Sequence, residues 1–257
     1  MMTTAHRLLS VCISLTLCAA LGTGYSRSTH TTSVLAAEQP GAETAARIER
    51  GKLIFDQTPK YAAAYVGNQM ACGNCHLQSG TVPFASPLID VAGLFPMFSK
   101  RAGRTITLED RIQECFTRSE NGHPLPHDSE EMRSLTAYIN SLSRNPVQGV
   151  PFPGRGLVKL PELAGDPVRG QTVYAAQCAS CHGAEGAGIP PMLPPVWGPG
   201  SYNDGAGMDT IEKAAAFVQH NMPQNQPGSL TPQQAFDVAA FLRSKPRPKF
   251  NPIYKQY

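Results

Sequence analysis

No stretch of this chain is apolar for long enough to span a bilayer. The longest apolar run, from Leu8 to Leu21, falls well short of the roughly 20 residues that a permanent membrane helix needs. With Arg7 before it and small residues after it, the run has the layout of a secretory signal peptide, read here as residues 1–37. Small residues around both Gly22 and Ala36 suit cleavage, so the cut site stays open. Charge is scarce too: charged residues are 16% of the chain, and the formal balance of +3 falls once Arg7 and Arg27 leave with the leader. No basic stripe remains, which excludes nucleic acid as a partner. Cysteine is sparse at seven, and Cys12 and Cys18 lie in the leader. With 257 residues and an ordinary 41% hydrophobic content, the chain has room for two small domains.

The remaining cysteines are arranged pointedly. Cys72-Gly73-Asn74-Cys75-His76 returns as Cys178-Ala179-Ser180-Cys181-His182. Two thiols three positions apart can add across the vinyl groups of a haem, and the next residue then supplies an axial imidazole. Zinc is the competing use of paired cysteines, but it wants the pairs roughly 15 to 20 residues apart. These lie more than a hundred apart, and each is followed by histidine. Two covalent haem c groups are therefore expected, on Cys72, Cys75 and His76 and on Cys178, Cys181 and His182. Attachment of this kind takes place outside the bacterial cytoplasm and agrees with the leader, which points to a periplasmic protein with no membrane span in its mature form.

The mature chain reads as one pattern used twice. Helical character over Glu43–Gln57 carries Gly51 and Phe55, and over Asp166–Gln177 it carries Gly170 and Tyr174. Each lobe closes with a capped helix: Asp128 and Glu131 precede Met132–Leu142, and Thr231 and Gln234 precede Ala235–Ser244. In a cytochrome c domain the first helix crosses the last closely, which suits a glycine on one and an aromatic residue on the other. The expected fold is all-α: two tandem class I cytochrome c domains, 38–145 and 166–257. A Pro/Gly-rich linker, 146–165, joins them; it has no helical period and does not fix how the domains meet. Loops after each motif, Gly80–Pro83 and Gly186–Pro191, are candidates to offer a carbonyl to the histidine Nδ1 proton.

The distal ligands separate a carrier from an enzyme. In the second repeat Met222 leads, inside His220-Asn221-Met222-Pro223, with His220 and Met208 as rivals. In the first repeat no Met-Pro stands at the matching interval, and Cys115 stands there instead. Its helix starts at Thr107 with Asp110 three residues on and ends before Gly122; Arg111, Arg118 and Ser119 share its face. An axial thiolate at Cys115 is the favoured reading, and it lowers the potential of the first iron relative to a methionine-bound second. Arg111 and Arg118, with Lys100, Arg101 and Arg104 from the preceding loop, are candidates for an anion pocket.

Several of these segments together resemble the dihaem thiosulfate dehydrogenases, also called tetrathionate synthases. They are Tyr65-Val66-Gly67-Asn68, Cys72 to Leu77, Arg111 to Gly122, Trp197-Gly198 with Ser201-Tyr202-Asn203, and Ala215 to Pro223. The resemblance covers roughly Glu43 to Pro248 and is most specific around Cys115. It implies conversion of two thiosulfate ions to tetrathionate with release of two electrons. Cys115 and Met222 would be the distal ligands, and the second haem would pass electrons outward; the residues themselves make Arg101, Arg111, Arg118 and Ser119 the candidates to attend the substrate, and another redox protein, such as a cytochrome c, the exit partner. Two departures stand out. His123 follows Asn121-Gly122 where lysine is expected, which makes the charge of the anion site sensitive to pH. Asn221 precedes Met222 where some members have lysine, which counts against a lysine–methionine ligand switch. A plain dihaem electron carrier is the alternative, but it gives no reason for Cys115. A peroxidase would need a distal acid–base pair that the chain does not display.

Overall fold

A computed structural model of the chain describes residues 41–144, 152–190 and 192–257. The leader read at 1–37, the start of the linker and Pro191 lie outside the described residues.

The first lobe is held by two crossing helices, α1 (Ala42–Asp56) and, at its far end, α3 (Glu130–Ser141). They approach so closely that a Cβ at Gly51 would lie 2.0 Å from the Ser134 carbonyl oxygen, so only glycine fits there. Ile54 and Phe55 from α1 meet Met132, Leu135 and Ile139 from α3, and Ile112 and Phe116 close the core. The second lobe repeats the device. Its first helix, α4 (Pro167–Gln177), crosses its last, α6 (Pro232–Ser244), at Gly170, where a Cβ would lie 2.0 Å from the Asp237 oxygen. Tyr174 packs on Trp197 and Phe241, with ring centroids 4.9 and 5.4 Å away. Helix α5 (Ile211–Asn221) completes that core through Ala214, Ala215 and Val218.

Local signals explain the helix starts. Thr107 accepts a bond from the Asp110 amide and opens α2 (Leu108–Glu114), and Thr231 with Gln234 caps α6; such caps contribute about 1 kcal/mol each. At α3 the cap is Ser129, which accepts from the Met132 amide, rather than Asp128. Glu131, expected to complete that box, reaches across to Arg50 instead, at 3.3 Å.

Three features depart from the sequence reading. A short antiparallel hairpin, β1 (Met97–Ser99) with β2 (Arg104–Ile106), interrupts the helical first lobe. Its turn is closed by the Gly103 amide on the Ser99 carbonyl, with Gly103 at φ +67°. Helix α2 does not run on to Gly122: Cys115–Ser119 form a π turn in which the Glu120 amide bonds the Cys115 carbonyl at 3.0 Å. The linker is not free along its described length. Gly154 and Gly156 carbonyls accept from Phe84 and Ser86 amides, and the Ala164 carbonyl accepts from Gln233. The chain's last segment then returns to the first lobe, where Gln256 and Tyr257 oxygens accept from Arg104 and Arg118.

Candidate functional site

Each Cys-x-x-Cys-His segment winds into a single tight turn. In the first lobe the Cys75 and His76 amides both bond the Cys72 carbonyl, and the Asn74 side chain accepts from the Ala71 amide at 2.7 Å. In the second, the Cys181 and His182 amides converge on the Cys178 carbonyl in the same way. Each histidine is then oriented by a carbonyl. His76 Nδ1 donates to Ser86 at 2.5 Å and His182 Nδ1 to Pro194 at 2.9 Å, which leaves Nε2 free to bind iron. Both acceptors lie just past the loops singled out in the sequence. Those loops serve packing: a Cβ at Gly186 would lie 2.3 Å from the Trp197 ring.

The residues present fit covalent haem. No motif cysteine is held in a disulfide, the two pairs sit in separate lobes, and among the described residues no three His, Cys, Asp or Glu side chains gather as a metal site, so the pairs do not share one zinc. Cys72, Cys75 and His76 are partly open, yet burial pushes the Cys75 thiol up to about 12 and His76 down to about 4.

Cys115 lies close to the first haem-attachment turn. Burial first, then Glu120 and then Cys115 raise the thiols of both Cys72 and Cys75. Its sulfur lies 3.6 Å from an Arg111 guanidinium nitrogen, which also sits 3.0 Å from the Glu114 carboxylate. Arg101 approaches the same carboxylate oxygen at 3.7 Å. Burial pushes the Cys115 thiol up, and Arg111 acts against that rise. Glu114 is 5% exposed and its second oxygen is unpartnered. Neither Glu114 nor Lys213 was singled out in the sequence. Lys213, on α5 of the second lobe, is held below its ordinary value by burial and then by Arg101 and Arg111.

The other candidates divide. Arg118 does not flank Cys115 as a free cation: it is 5% exposed, stacks 4.0 Å over Phe250 and donates to the Tyr257 main-chain oxygen at 2.8 Å. Ser119 ends the π turn, where its carbonyl accepts from Asn68. Arg104 is engaged by Asp110 at 2.8 Å, Lys100 is exposed, and His123 is exposed with its amide on the Tyr65 carbonyl. Among the three sulfur and imidazole candidates of the second lobe, Met222 packs on the core that contains Cys178. Met208 packs with Met70 and Tyr202, and His220 sets its ring edge-on to Phe84 at 5.1 Å. Among the described residues no helix is long and apolar enough to cross a membrane.

Comparison with known proteins places both lobes. Residues 59–147 match the family model for the SoxA/TsdA cytochrome c domain, and residues 167–246 match that for cytochrome c. The chain is 40% identical over 225 residues to a thiosulfate dehydrogenase of Allochromatium vinosum, covering 84% of this chain and 83% of that protein. It is 41% identical over 208 residues to one from Stutzerimonas stutzeri, covering 79% and 68%. The solved structure of a thiosulfate dehydrogenase (TsdBA) from Marichromatium purpuratum superposes with a TM-score of 0.75 at 35% identity. That match covers 79% of this chain and 46% of the other, so the chain spans about half the length of that protein. Two tandem cytochrome c domains with a c-type haem each, and 38–41% identity to four thiosulfate dehydrogenases, lead to one conclusion: the chain belongs to the thiosulfate dehydrogenase family of dihaem cytochromes c.

Proposed function

We propose that this chain joins two thiosulfate ions into tetrathionate and passes the two released electrons to an external redox protein. The observation that carries this reading is the Cys115 sulfur, set at the mouth of the π turn, beside Arg111 and within reach of the first haem-attachment turn. A plain carrier has no use for that arrangement.

In this reading His76 and Cys115 would hold the first iron, and His182 and Met222 the second. Bound haem would supply one-electron acceptance at each lobe, matching the two electrons of the reaction, and Cys115 as a thiolate and Met222 as a thioether would set the first site's potential below the second's. Arg111 and Arg101, with Arg118 and Lys213 behind them, offset the repulsion between two dianions. The Cys115 thiolate and one thiosulfate join through sulfur, giving up two electrons. The sulfane sulfur of that adduct is then attacked by the second thiosulfate, which releases tetrathionate and restores the thiolate. Ser119 lines the same turn. Electrons leave by the second lobe, where Cys181 of the haem motif and the apolar side chains of Ile189 and Met192 are exposed. A redox protein such as another cytochrome c would take them up outside the cytoplasm, where the leader would deliver the chain.

The test is direct: the protein carrying both haems is given thiosulfate and ferricyanide, and tetrathionate is measured. Tetrathionate in half the molar amount of thiosulfate consumed is expected. A protein that a strong donor reduces fully but that yields no tetrathionate is a carrier.

A further inference from the structure

The π turn that carries Cys115 ends in four carbonyls that cannot bond within the helix. All four are satisfied from outside. Asn203 of the second lobe takes two of them: its side-chain amide donates to the Thr117 carbonyl at 2.9 Å, and its main-chain amide to the Arg118 carbonyl at 3.1 Å. Asn68 donates to the Ser119 carbonyl at 2.8 Å, and the Gly67 amide bonds the Glu120 carbonyl at 2.9 Å. The two asparagines are themselves coupled to the other lobe's chain. The Asn68 amide also reaches the Ser201 carbonyl, and Asn203 also reaches the Asn121 side chain. Asn203 is 1% exposed and Asn68 is 5% exposed. Neither contact is a surface accident.

A π turn holds one residue more than the α-helix it interrupts, and such turns are uncommon except where something maintains them. If the turn rewound to α-helical register, residues on its two sides would rotate relative to each other by about 100°, the angle of one helical residue. The far side is fixed by Tyr65 to Asn68, since a Cβ at Gly122 would lie 1.9 Å from the Tyr65 oxygen. The near side carries Cys115. Rewinding would therefore swing the Cys115 sulfur away from the first haem-attachment turn.

We propose that Asn203 is a positioning residue for Cys115: by holding the Thr117 and Arg118 carbonyls, the second lobe keeps the π turn wound and the sulfur aimed at the first haem site. The oxidising site is in this sense built by both lobes. The inference rests on the reading of Cys115 as a ligand to the first iron.

The test uses the full chain with both haems. Asn203→Asp keeps the shape and the acceptor that serves the Gly205 amide, but loses the donated bonds to Thr117 and Asn121. Asn68→Asp removes the donor to Ser119 and Ser201 in a variant that is independent of the first. Electron paramagnetic resonance of the low-spin irons and the separate potentials of the two haems are recorded beside steady-state turnover. Expected for Asn203→Asp is loss or splitting of the thiolate-type signal of the first haem, with the second haem's signal and potential unmoved. Turnover should fall roughly 10- to 100-fold, as when a group that orients a metal ligand is removed. Asn68→Asp should act in the same direction. A first-haem signal and turnover like the parent's in both variants would overturn the proposal. So would equal changes at both haems with loss of haem content, the mark of a purely structural role. A parent protein without any thiolate signal would instead bring down the Cys115 reading itself.

Discussion

Replacing Arg111 by glutamine removes the guanidinium that reaches both the Cys115 sulfur, at 3.6 Å, and Glu114, at 3.0 Å. A thiosulfate dianion arriving beside Cys115 would then lose one charge-assisted pair. Such a pair contributes about 1.5 to 3 kcal/mol, or roughly 10- to 150-fold in half-saturating concentration. The same change leaves the buried Glu114 carboxylate with only Arg101, at 3.7 Å. Because Arg111 is itself half-exposed, that loss of pairing costs stability by about 1 kcal/mol. Saturation kinetics with an artificial acceptor, sulfate as a competing dianion, and thermal unfolding separate the two effects. Arg111→Gln should raise the half-saturating thiosulfate concentration and weaken inhibition by sulfate. Glu114→Gln should do the reverse, since it frees both arginines from a competing carboxylate. If Arg111→Gln saturates like the parent and sulfate inhibits both equally, Arg111 is no part of the anion site.

Met222→Ala should lower the potential of the second haem and leave that of the first unchanged in a redox titration; an unmoved second potential would hand the ligand role to His220 or Met208. Gly51→Ala would drive a Cβ to 2.0 Å from the Ser134 oxygen; the helices must part at a cost of about 3 kcal/mol, and an unfolding temperature equal to the parent's would contradict the tight crossing. Arg118→Gln loses its bond to Tyr257 and its stacking on Phe250, which should destabilise the protein by about 2 kcal/mol and expose the C-terminal segment to proteolysis. Its effect on half-saturation should be smaller than that of Arg111→Gln, because the buried guanidinium is already engaged.

What was legible in the sequence is what depends on neighbours along the chain. The haem motifs, the Thr107 and Thr231 caps and the glycines at both crossings follow from spacing and side-chain chemistry within a few residues. The Ser129 cap was misplaced by one residue because Asp128, Ser129 and Glu131 all suit a cap locally, and only the distant Arg50 draws Glu131 away. The π turn was hidden for a like reason: its pattern reads as ordinary helix, and what holds it open comes from Asn68 and Asn203, far off in sequence. Arg118 was expected beside Cys115 by helical spacing, but the C-terminal segment, with Phe250 and Tyr257, claims it. Glu114 stood next to Cys115 throughout; a carboxylate between two arginines was the available signal.

The central claim is that Cys115 sulfur takes part in the reaction and does more than close an iron face. The most direct measurement is tetrathionate formation by Cys115→Met, purified with both haems and shown to be reducible by a strong artificial donor. A thioether can bind iron but cannot form a sulfur–sulfur bond to thiosulfate. The account predicts that nearly all tetrathionate formation is lost while both haems remain reducible, and that thiosulfate leaves a sulfonate-bearing adduct on Cys115 in the parent. Turnover in the methionine variant equal to the parent's, or differing only as the altered potential requires, would contradict it.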